Sequence, residues 1–328
     1  MEYFKGNTKK YLGILIMVTP FKNKFVVNFH HADFDGAISG SCVSAALGID
    51  NVISKAYSIA KVGNAVNNII GDTDLVLLTD ISVYKDDLLK LVPYMKKNKL
   101  IIYDHHINEH SKETFSKFET DTHSILDPDL CGSTITWYKL SEYYPHNSKL
   151  QDLEQIVYLS DVYDMWRTNN PDFEYASTLN DLLDYKIGYN PDTFRERFLK
   201  NPDPYNLSFD EKMIIERKKL KHYSNLKIME KNAIIFDYKK HVFVMVEANA
   251  TDYTKMHFMN LILETENVDM FIFKYTGTTQ CSIRIPNKQS KIKDLNDWYE
   301  DFGCIGHEKA GGISVNEFPR LKKVLENI

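Results

Sequence analysis

Three short segments in the N-terminal part of the chain concentrate side chains that bind metal ions. They are His31-Ala-Asp33-Phe-Asp35-Gly36, Thr79-Asp80 and Asp104-His105-His106. Carboxylate oxygens and imidazole nitrogens without a thiolate suit Mn²⁺, Mg²⁺ or Fe²⁺ better than a structural zinc ion. In an extended chain, alternate residues point to one side, so the first segment would direct its histidine and both aspartates together. Gly36 would then permit a sharp turn into a following helix. The three segments together predict a metal site.

Each of these segments follows a short apolar run that is typical of a buried strand. The runs are Phe25–Phe29, Leu75–Leu78 and Leu100–Tyr103, with helical candidates at Gly36–Leu47, Val62–Ile70 and Lys85–Lys97. This alternation predicts an α/β domain whose parallel sheet carries helices on both faces. Ligands bind at the carboxyl ends of the strands in such sheets, so we expect the three segments to converge. Burying several carboxylates together is costly unless cations neutralise them, which argues against a purely structural cluster.

The remaining sequence predicts a fourth acidic segment, a linker and a second domain. Residues 150–165 read as one helix that delivers Asp161 and Asp164 on the same face, and either aspartate could be a ligand. A stretch rich in proline and asparagine, 190–206, is expected to break regular structure, and a charged helix follows from Ser208 to about Lys231. Strand-like runs then resume. We therefore predict a catalytic domain at 1–205, a linker helix at 206–231 and a smaller α/β substrate domain at 232–328.

Composition limits the class of protein. The chain has 328 residues, 43% of them apolar, and a formal net charge of −5, which argues against a protein that coats nucleic acid through bulk positive charge. Its four cysteines are scattered without a CxxC pair, which favours a cytoplasmic location. The apolar run 11–21 is too short to span a bilayer, so no membrane association is expected.

At this point the sequence resembles a family, the DHH phosphoesterases. Its first three motifs look like the segments described above, the fourth resembles Tyr163-Asp164-Met165-Trp166, and Ser282-Ile-Arg284 lies upstream of a glycine- and histidine-containing C-terminal segment. That last segment, 303–312, looks like part of the family's substrate domain, although Cys304 and Ile305 interrupt the usual run of glycines. The resemblance covers essentially the whole chain.

The resemblance implies a role for each matching residue. One Mn²⁺ would be held by His31, Asp33 and Asp80, and a second by Asp35, Asp80, His105 and Asp164; Mg²⁺ or Fe²⁺ are substitutes. Asp164 is preferred over Asp161 because Met-Trp follows it. His106 would face the substrate phosphate, Asp104 would orient the neighbouring histidine, and the second domain would hold substrate through Arg284, Gly306, His307 and Gly311.

The resemblance also implies a reaction class and leaves the substrate open. The fourth motif is most similar to the oligoribonuclease branch, which hydrolyses short RNA or DNA strands to mononucleotides. A cyclic-dinucleotide phosphodiesterase and a phosphoadenosine-phosphate phosphatase are alternatives, and a RecJ-type exonuclease is disfavoured because no OB-fold segment is recognised. From other classes, a nucleotide-sensing module without hydrolytic activity and an inorganic pyrophosphatase remain. A homodimer is also left open.

Overall fold

The computed structural model describes residues 19–83, 85–106, 123–247, 250–278, 280–286, 290–293, 305–307 and 310–314. The chain divides into two compact units, with the boundary between Ile215 and Glu216. Most of the apolar run 11–21 lies outside the described residues. Among the described helices, none is both long enough and apolar enough to cross a bilayer.

The first unit is built on a parallel sheet, as predicted, and this sheet has five strands. Its strands are β1 (Val26–His31), β2 (Val52–Tyr57), β3 (Leu75–Thr79), β4 (Leu100–Asp104) and β5 (Ile125–Leu126), in the order β2-β1-β3-β4-β5. Of these strands, β2 and β5 were not predicted. The chain leaves β1 toward β2 on one side and returns to β3 on the other. This reversal of direction opens a crevice at the carboxyl ends of β1 and β3, where α/β proteins bind ligands.

Helices cover both faces of this sheet. The helices described before the second sheet are α1 (Phe34–Leu47), α2 (Ile59–Ile69), α3 (Lys85–Met95), α4 (Gly132–Tyr143), α5 (Ser148–Gln151), α6 (Glu154–Asp164), α7 (Phe173–Asn180), α8 (Pro191–Lys200) and α9 (Phe209–Asn232), and α9 continues into the second unit. On one face, α2 and α3 pack against alternate residues of β1, β3 and β4, including Val27, Val76 and Ile102. On the other face α1 is buried along almost its whole length and packs against α4, α6 and α8.

Two segments differ from the sequence-based expectation. The helix predicted over 150–165 is divided into α5 and α6, because the backbone N–H of Leu153 bonds to the carbonyl of Leu150 and tightens the turn between them. The stretch expected to be irregular contains α8. Pro191 occupies its first turn, where a missing N–H loses no helical bond, and the Asn190 side chain accepts a hydrogen bond from Thr193 N at 2.9 Å.

A buried ion pair ties α8 to the start of α9. Arg197 Nε lies 2.7 Å from Glu211 Oε1, and both residues are less than one tenth exposed. The same guanidinium donates to the carbonyl oxygens of Asn201, Asp203 and Asn206. Glu211 also accepts the N–H of Ser208, whose hydroxyl accepts the N–H of Glu211, which forms a reciprocal N-terminal cap.

The second unit contains a mixed six-stranded sheet. Its elements are β6 (Ile234–Tyr238), β7 (His241–Glu247), α10 (Asp252–Leu263), β8 (Met270–Lys274), β9 (Gln280–Arg284), β10 (Ile305–His307) and β11 (Ala310–Ser314). The order is β10-β11-β9-β8-β7-β6, with only β7 and β8 parallel among these described strands. One face forms a core around Phe243, Ile272 and Ile283, and the other packs Phe271 and Phe273 against α9 and α10.

Candidate metal centre

Asp80 lies at the base of the predicted site. It directly follows β3 with a left-handed backbone (φ 54°), and its N–H donates to the carbonyl of Tyr103 at the end of β4. The residue is 1% exposed, yet neither carboxylate oxygen accepts a hydrogen bond from any residue that the structure describes. Buried carboxylates are normally satisfied by hydrogen bonds, so these two oxygens are available to bind a cation.

The first segment places one histidine and one aspartate beside Asp80. His31 ends β1 and its Nδ1 lies 2.5 Å from Asp33 Oδ2. The other oxygen of Asp33 caps α1 by accepting the N–H of Gly36 at 2.9 Å. Burial alone would lower the pKa of His31, but the hydrogen bond with Asp33 and its negative charge raise that pKa above the ordinary value.

Asp35 lies at the same site, but it belongs to a helix and not to the extended segment that was expected. It does not continue an extended chain, because α1 already begins at Phe34 and Asp35 lies in its first turn. Gly36 is needed for close packing, not for a turn: a Cβ there would lie 2.3 Å from the carbonyl oxygen of His31. The expectation of a simple alternation was therefore wrong, although the histidine and both aspartates do converge.

The carboxylate of Asp35 is held by α4 and α6. Backbone N–H groups of Gly132 and Ser133, at the first turn of α4, donate to it at 2.7 and 3.0 Å. The Ser160 hydroxyl donates to Oδ1 at 2.9 Å. A carboxylate at a helix N-terminus is stabilised by the unpaired N–H groups there. Asp35 is thus fixed in place with its charge partly compensated.

The two histidines after β4 differ in their surroundings. His105 Nε2 points into the cluster, 3.2 Å from Asp80 Oδ1 and 3.4 Å from Asp164 Oδ2. Burial, followed by the positive charge of His106, lowers the pKa of His105. His106 is 34% exposed along its side chain, and its Nδ1 lies 2.8 Å from Asp104 Oδ1. Burial alone would lower the pKa of His106, but the hydrogen bond to Asp104 and its charge raise it to about 9.

Asp104 is a positioning group for this segment. It is 3% exposed, and its Oδ1 also accepts the backbone N–H of His105 at 2.9 Å. Its Oδ2 accepts the Ser82 hydroxyl at 3.0 Å. Burial would raise the pKa of Asp104, whereas the hydrogen bond from His106 lowers it below the ordinary value. Asp104 therefore stays ionised and fixes the ring of His106.

The structure distinguishes the two aspartates of α6. Asp164 Oδ2 faces His105, as described above. Asp161 is 1% exposed and forms an ion pair with Arg167. The Nε and Nη2 atoms of Arg167 lie 2.7 and 3.2 Å from the two carboxylate oxygens of Asp161. Because both oxygens of Asp161 accept from this guanidinium, Asp164 is the aspartate available to the cluster.

The carboxylates of Asp80 and Asp164 are repelled by those of neighbouring aspartates. Burial, followed by the charges of Asp35 and Asp33, raises the pKa of Asp80 well above its ordinary value. The same causes, in the same order, raise the pKa of Asp164. Cations would relieve this repulsion, so the pattern suits metal ligands better than a stable arrangement of bare carboxylates.

The donor atoms fall into three sets that fit metal ions. Within each set the ligand atoms lie within 4.8 Å of one another, and the sets are His31-Asp33-Asp80, Asp35-His105-Asp164 and Asp80-His105-His106. Asp80 belongs to the first and third of these sets, and His105 to the second and third. The structure also brings His106 within reach of Asp80, although the sequence resemblance implied a substrate-facing role for it.

Three residues of α4 and α6 support this cluster and were not predicted from the sequence. Gly132 packs directly on Asp80, since a Cβ on it would lie 2.3 Å from the Cβ of Asp80. Ser133 and Ser160 hold Asp35. The run Cys131-Gly-Ser-Thr134 at the start of a helix is the sequence feature that could have indicated a close approach of backbone to a site.

The substrate-binding residues predicted in the second unit share one edge of its sheet. Arg284 ends β9 and pairs with Ala310 of β11, which in turn pairs with His307 of β10. Gly306 and Gly311 are opposite each other in the same hairpin. The four predicted residues therefore occupy adjacent rows of three neighbouring strands.

No protein-family model matches the sequence, and no curated protein matches it. The DHH domain of a member of the s1p family of ribosomal proteins superposes with a TM-score of 0.64 and 15% identity, covering 94% of this chain and 86% of that one. This chain has the fold of the DHH-domain proteins.

Two further solved structures share this DHH fold. The pGpG-specific phosphodiesterase PggH from Vibrio cholerae gives a TM-score of 0.59 at 13% identity, with 93% of this chain and 98% of that chain covered. An exonuclease RecJ bound to manganese gives 0.55 at 14% identity, with 93% and 90% covered. The coverage shows that the similarity to these DHH-fold proteins extends over both units of the chain.

Proposed function

We propose that this chain is a metal-dependent phosphoesterase of the DHH family that hydrolyses phosphodiester bonds in short oligonucleotides. The observation that carries the proposal is the buried carboxylate of Asp80, whose oxygens lack donors among the described residues and lie amid aspartates and histidines from three strand ends. The sequence motifs of that family fall on these same residues. Its fold is also the one shared with PggH and RecJ.

We assign two cation sites, with Mn²⁺ as the expected ion and Mg²⁺ or Fe²⁺ as substitutes. His31, Asp33 and Asp80 would hold the first ion, and Asp35, Asp80, His105 and Asp164 the second. Two ions held by these residues would supply an activated water and would stabilise negative charge on the phosphoryl oxygens. The rigid supports of Asp35 and Asp80 keep the ligand atoms together before substrate arrives.

His106 is the residue assigned to substrate in the first unit. Its Nδ1 lies 2.8 Å from Asp104 Oδ1, so one ring nitrogen is committed to this carboxylate. The other ring nitrogen can donate to a phosphate oxygen or to a leaving oxygen. A hydrogen-bond donor at the more exposed side of the cluster suits an anionic substrate, and Asp104 preserves its orientation.

The preference for short strands rests on two supports. The fourth motif resembles the oligoribonuclease branch, and PggH, which has the same fold, is named for the linear dinucleotide pGpG. Arg284, Gly306, His307 and Gly311 would bind the nucleotide or its phosphate from the second unit. The alternatives are cyclic dinucleotides, phosphoadenosine phosphate and a module that binds nucleotide without hydrolysis.

A substrate panel tests this proposal. Wild type and Asp80→Asn are incubated with Mn²⁺, or with excess chelator, and with 5′-phosphorylated dinucleotides, long RNA and DNA strands, cyclic dinucleotides, phosphoadenosine phosphate and pyrophosphate. We expect mononucleotide release from dinucleotides by wild type with Mn²⁺ only. Opening of a cyclic dinucleotide without cleavage of linear strands would support the first alternative, and full turnover in chelator would contradict the metal-dependent mechanism.

A second variant tests the role of the second unit. Arg284→Ala should lower kcat/KM for a dinucleotide by removing a charge-assisted contact worth roughly 1.5–3 kcal/mol. Mn²⁺ affinity should stay at the wild-type value, because Arg284 is not among the metal ligands. Lys274→Ala, which removes a partly exposed ion pair with Glu247 in the same sheet, is the matched control. An equal loss of activity in both variants would contradict the assignment of Arg284.

A further inference from the structure

The end of α6 has an unusual residue at a position that normally requires glycine. After Asp164, the N–H of Trp166 bonds to the carbonyl of Tyr163, and the N–H of Arg167 bonds to the carbonyl of Val162. These two bonds define a Schellman motif, in which the first residue beyond the cap adopts a left-handed conformation. Here that residue is Trp166, with φ of 51°. Glycine is favoured at such a position because a side chain strains the backbone.

The surroundings hold Trp166 in this conformation. Arg167, the next residue, is anchored by its two hydrogen bonds to buried Asp161. Further along the same loop, Asn170 and Asp172 both hydrogen-bond to the Tyr158 hydroxyl. A bulky residue in a strained conformation persists only when neighbouring contacts enforce it, and such residues concentrate at binding sites.

The indole ring of Trp166 packs against two aromatic side chains and remains partly exposed to solvent. Its centroid lies 5.2 Å from Phe173 and 6.0 Å from Tyr163, and both pairs are edge-to-face. Even so, the residue is 37% exposed, whereas Trp137 is only 7% exposed and donates its indole N–H to Leu150. An exposed aromatic ring with a rigid aromatic backing is the form of a stacking platform.

Trp166 lies close to the metal cluster. Trp166 is two residues beyond Asp164, so the two Cα atoms are at most about 7 Å apart. Tyr163, which supports Trp166, also contacts Phe34, the residue between Asp33 and Asp35. A phosphodiester at the cluster carries a nucleoside on each side of the phosphorus. One of its bases would therefore come within reach of the indole.

We propose that Trp166 forms a nucleobase-stacking subsite beside the metal centre and selects nucleotide substrates over phosphate esters that lack a base. This inference rests on the proposed function. Stacking on an aromatic face tolerates any base, so the subsite recognises the presence of a base and not its sequence. The strained cap positions the ring next to the reacting phosphate.

Binding of two probes to the full chain with Mn²⁺ tests the subsite. The probes are adenosine 5′-monophosphate and ribose 5-phosphate, in which a hydroxyl group replaces the base, and binding is measured by calorimetry and by quenching of tryptophan fluorescence. In wild type, the nucleotide should bind roughly tenfold more tightly or better. In Trp166→Leu, the affinity for the nucleotide should fall to the affinity for ribose 5-phosphate, and the affinity for ribose 5-phosphate should not change. In Trp166→Phe, most of the difference in affinity between the two probes should remain.

The control is Tyr185→Leu, because Tyr185 is an aromatic residue that is 75% exposed and lies outside the cluster. It should leave both affinities unchanged. Equal affinity of the two probes for wild type, a difference that survives Trp166→Leu, or absence of binding by either probe would overturn the inference. Hydrolysis of a dinucleotide with an unchanged KM in Trp166→Leu would contradict the subsite alone. Nucleotide binding through Trp166 without hydrolysis of any phosphodiester would contradict the proposed function alone.

Discussion

The α-carbon of Gly132 lies so close to Asp80 that an added Cβ would be 2.3 Å from the Cβ of Asp80 and 2.7 Å from its Oδ1. The same glycine donates its N–H to Asp35. A single backbone position therefore supports two of the proposed metal ligands, which come from different parts of the chain.

Gly132→Ala should consequently impair metal binding. The methyl group forces Asp80 or the first turn of α4 to move, at a cost of about 1–3 kcal/mol typical of overpacking. We expect weaker Mn²⁺ binding by calorimetry and a loss of phosphodiesterase activity. Gly71→Ala is the matched control, since a Cβ there meets nothing within 4 Å. Unchanged Mn²⁺ affinity in Gly132→Ala would show that the close packing on Asp80 does not matter for the site.

Asp80→Asn should stabilise the metal-free protein while abolishing its response to Mn²⁺. The folded-state pKa of Asp80 is raised, so its contribution to stability is fully present below its ordinary pKa and is lost as the pH rises through the raised value. At pH 8 the neutral amide should therefore increase the free energy of unfolding by roughly 1–2 kcal/mol. Denaturant unfolding with and without Mn²⁺ measures both effects, with exposed Asp152→Asn as the control. A less stable metal-free variant would contradict the electrostatic account.

The two aspartates of α6 should separate metal binding from folding. Asp164→Asn should weaken Mn²⁺ binding and abolish activity. Asp161→Asn should instead lower the free energy of unfolding by about 1.5–3 kcal/mol, because the guanidinium of Arg167 loses its charged acceptor. Its Mn²⁺ affinity should remain at the wild-type value. Calorimetric Mn²⁺ titration of both variants decides the assignment, and the reverse order of affinities would show that Asp161 is the ligand.

The buried pair of Arg197 and Glu211 should contribute to stability in a pH-dependent way. Arg197→Ala leaves a buried carboxylate without its charge partner and should cost about 3–5 kcal/mol at pH 7. Burial alone would raise the pKa of Glu211, but its hydrogen bonds with Arg197 and Ser208 lower it. The stabilisation is thus present above the ordinary pKa and is lost as the pH falls through the lowered one.

Denaturant unfolding at several pH values checks this prediction. The difference in the free energy of unfolding between wild type and Arg197→Ala should become smaller as the pH falls below the ordinary pKa of glutamate. Lys219→Ala is the control, because its pair with Glu216 is half-exposed on α9 and should contribute about 0–1 kcal/mol. A difference that is the same at every pH would mean that Arg197 acts through packing alone.

The sequence predicted the parallel sheet and the convergence of its acidic strand ends well. Apolar runs mark β1, β3 and β4 because parallel strands are buried on both faces, and their carboxyl ends must meet at one edge. The sequence did not predict that Asp35 lies inside α1, because alternation along a strand cannot indicate where a helix begins. It also missed α8, where Pro191 starts a helix although the proline-rich composition had predicted irregular structure.

The support for the ligands could not be found from the sequence. Gly132 and Ser160 are about a hundred residues from Asp35, and their roles follow from the packing of α4 and α6 against α1. The choice between Asp161 and Asp164 was likewise left open by helical periodicity. It depends on Arg167, whose guanidinium takes both oxygens of Asp161.

The most direct test of the account is the location of manganese in crystals of the full chain grown with Mn²⁺, by anomalous scattering at the manganese absorption edge. We predict two anomalous peaks, one bound by His31, Asp33 and Asp80 and the other by Asp35, Asp80, His105 and Asp164. Crystals of Asp80→Asn should lose both peaks. Wild-type crystals with no anomalous peak among these side chains would contradict the assignment of this cluster as the catalytic metal centre.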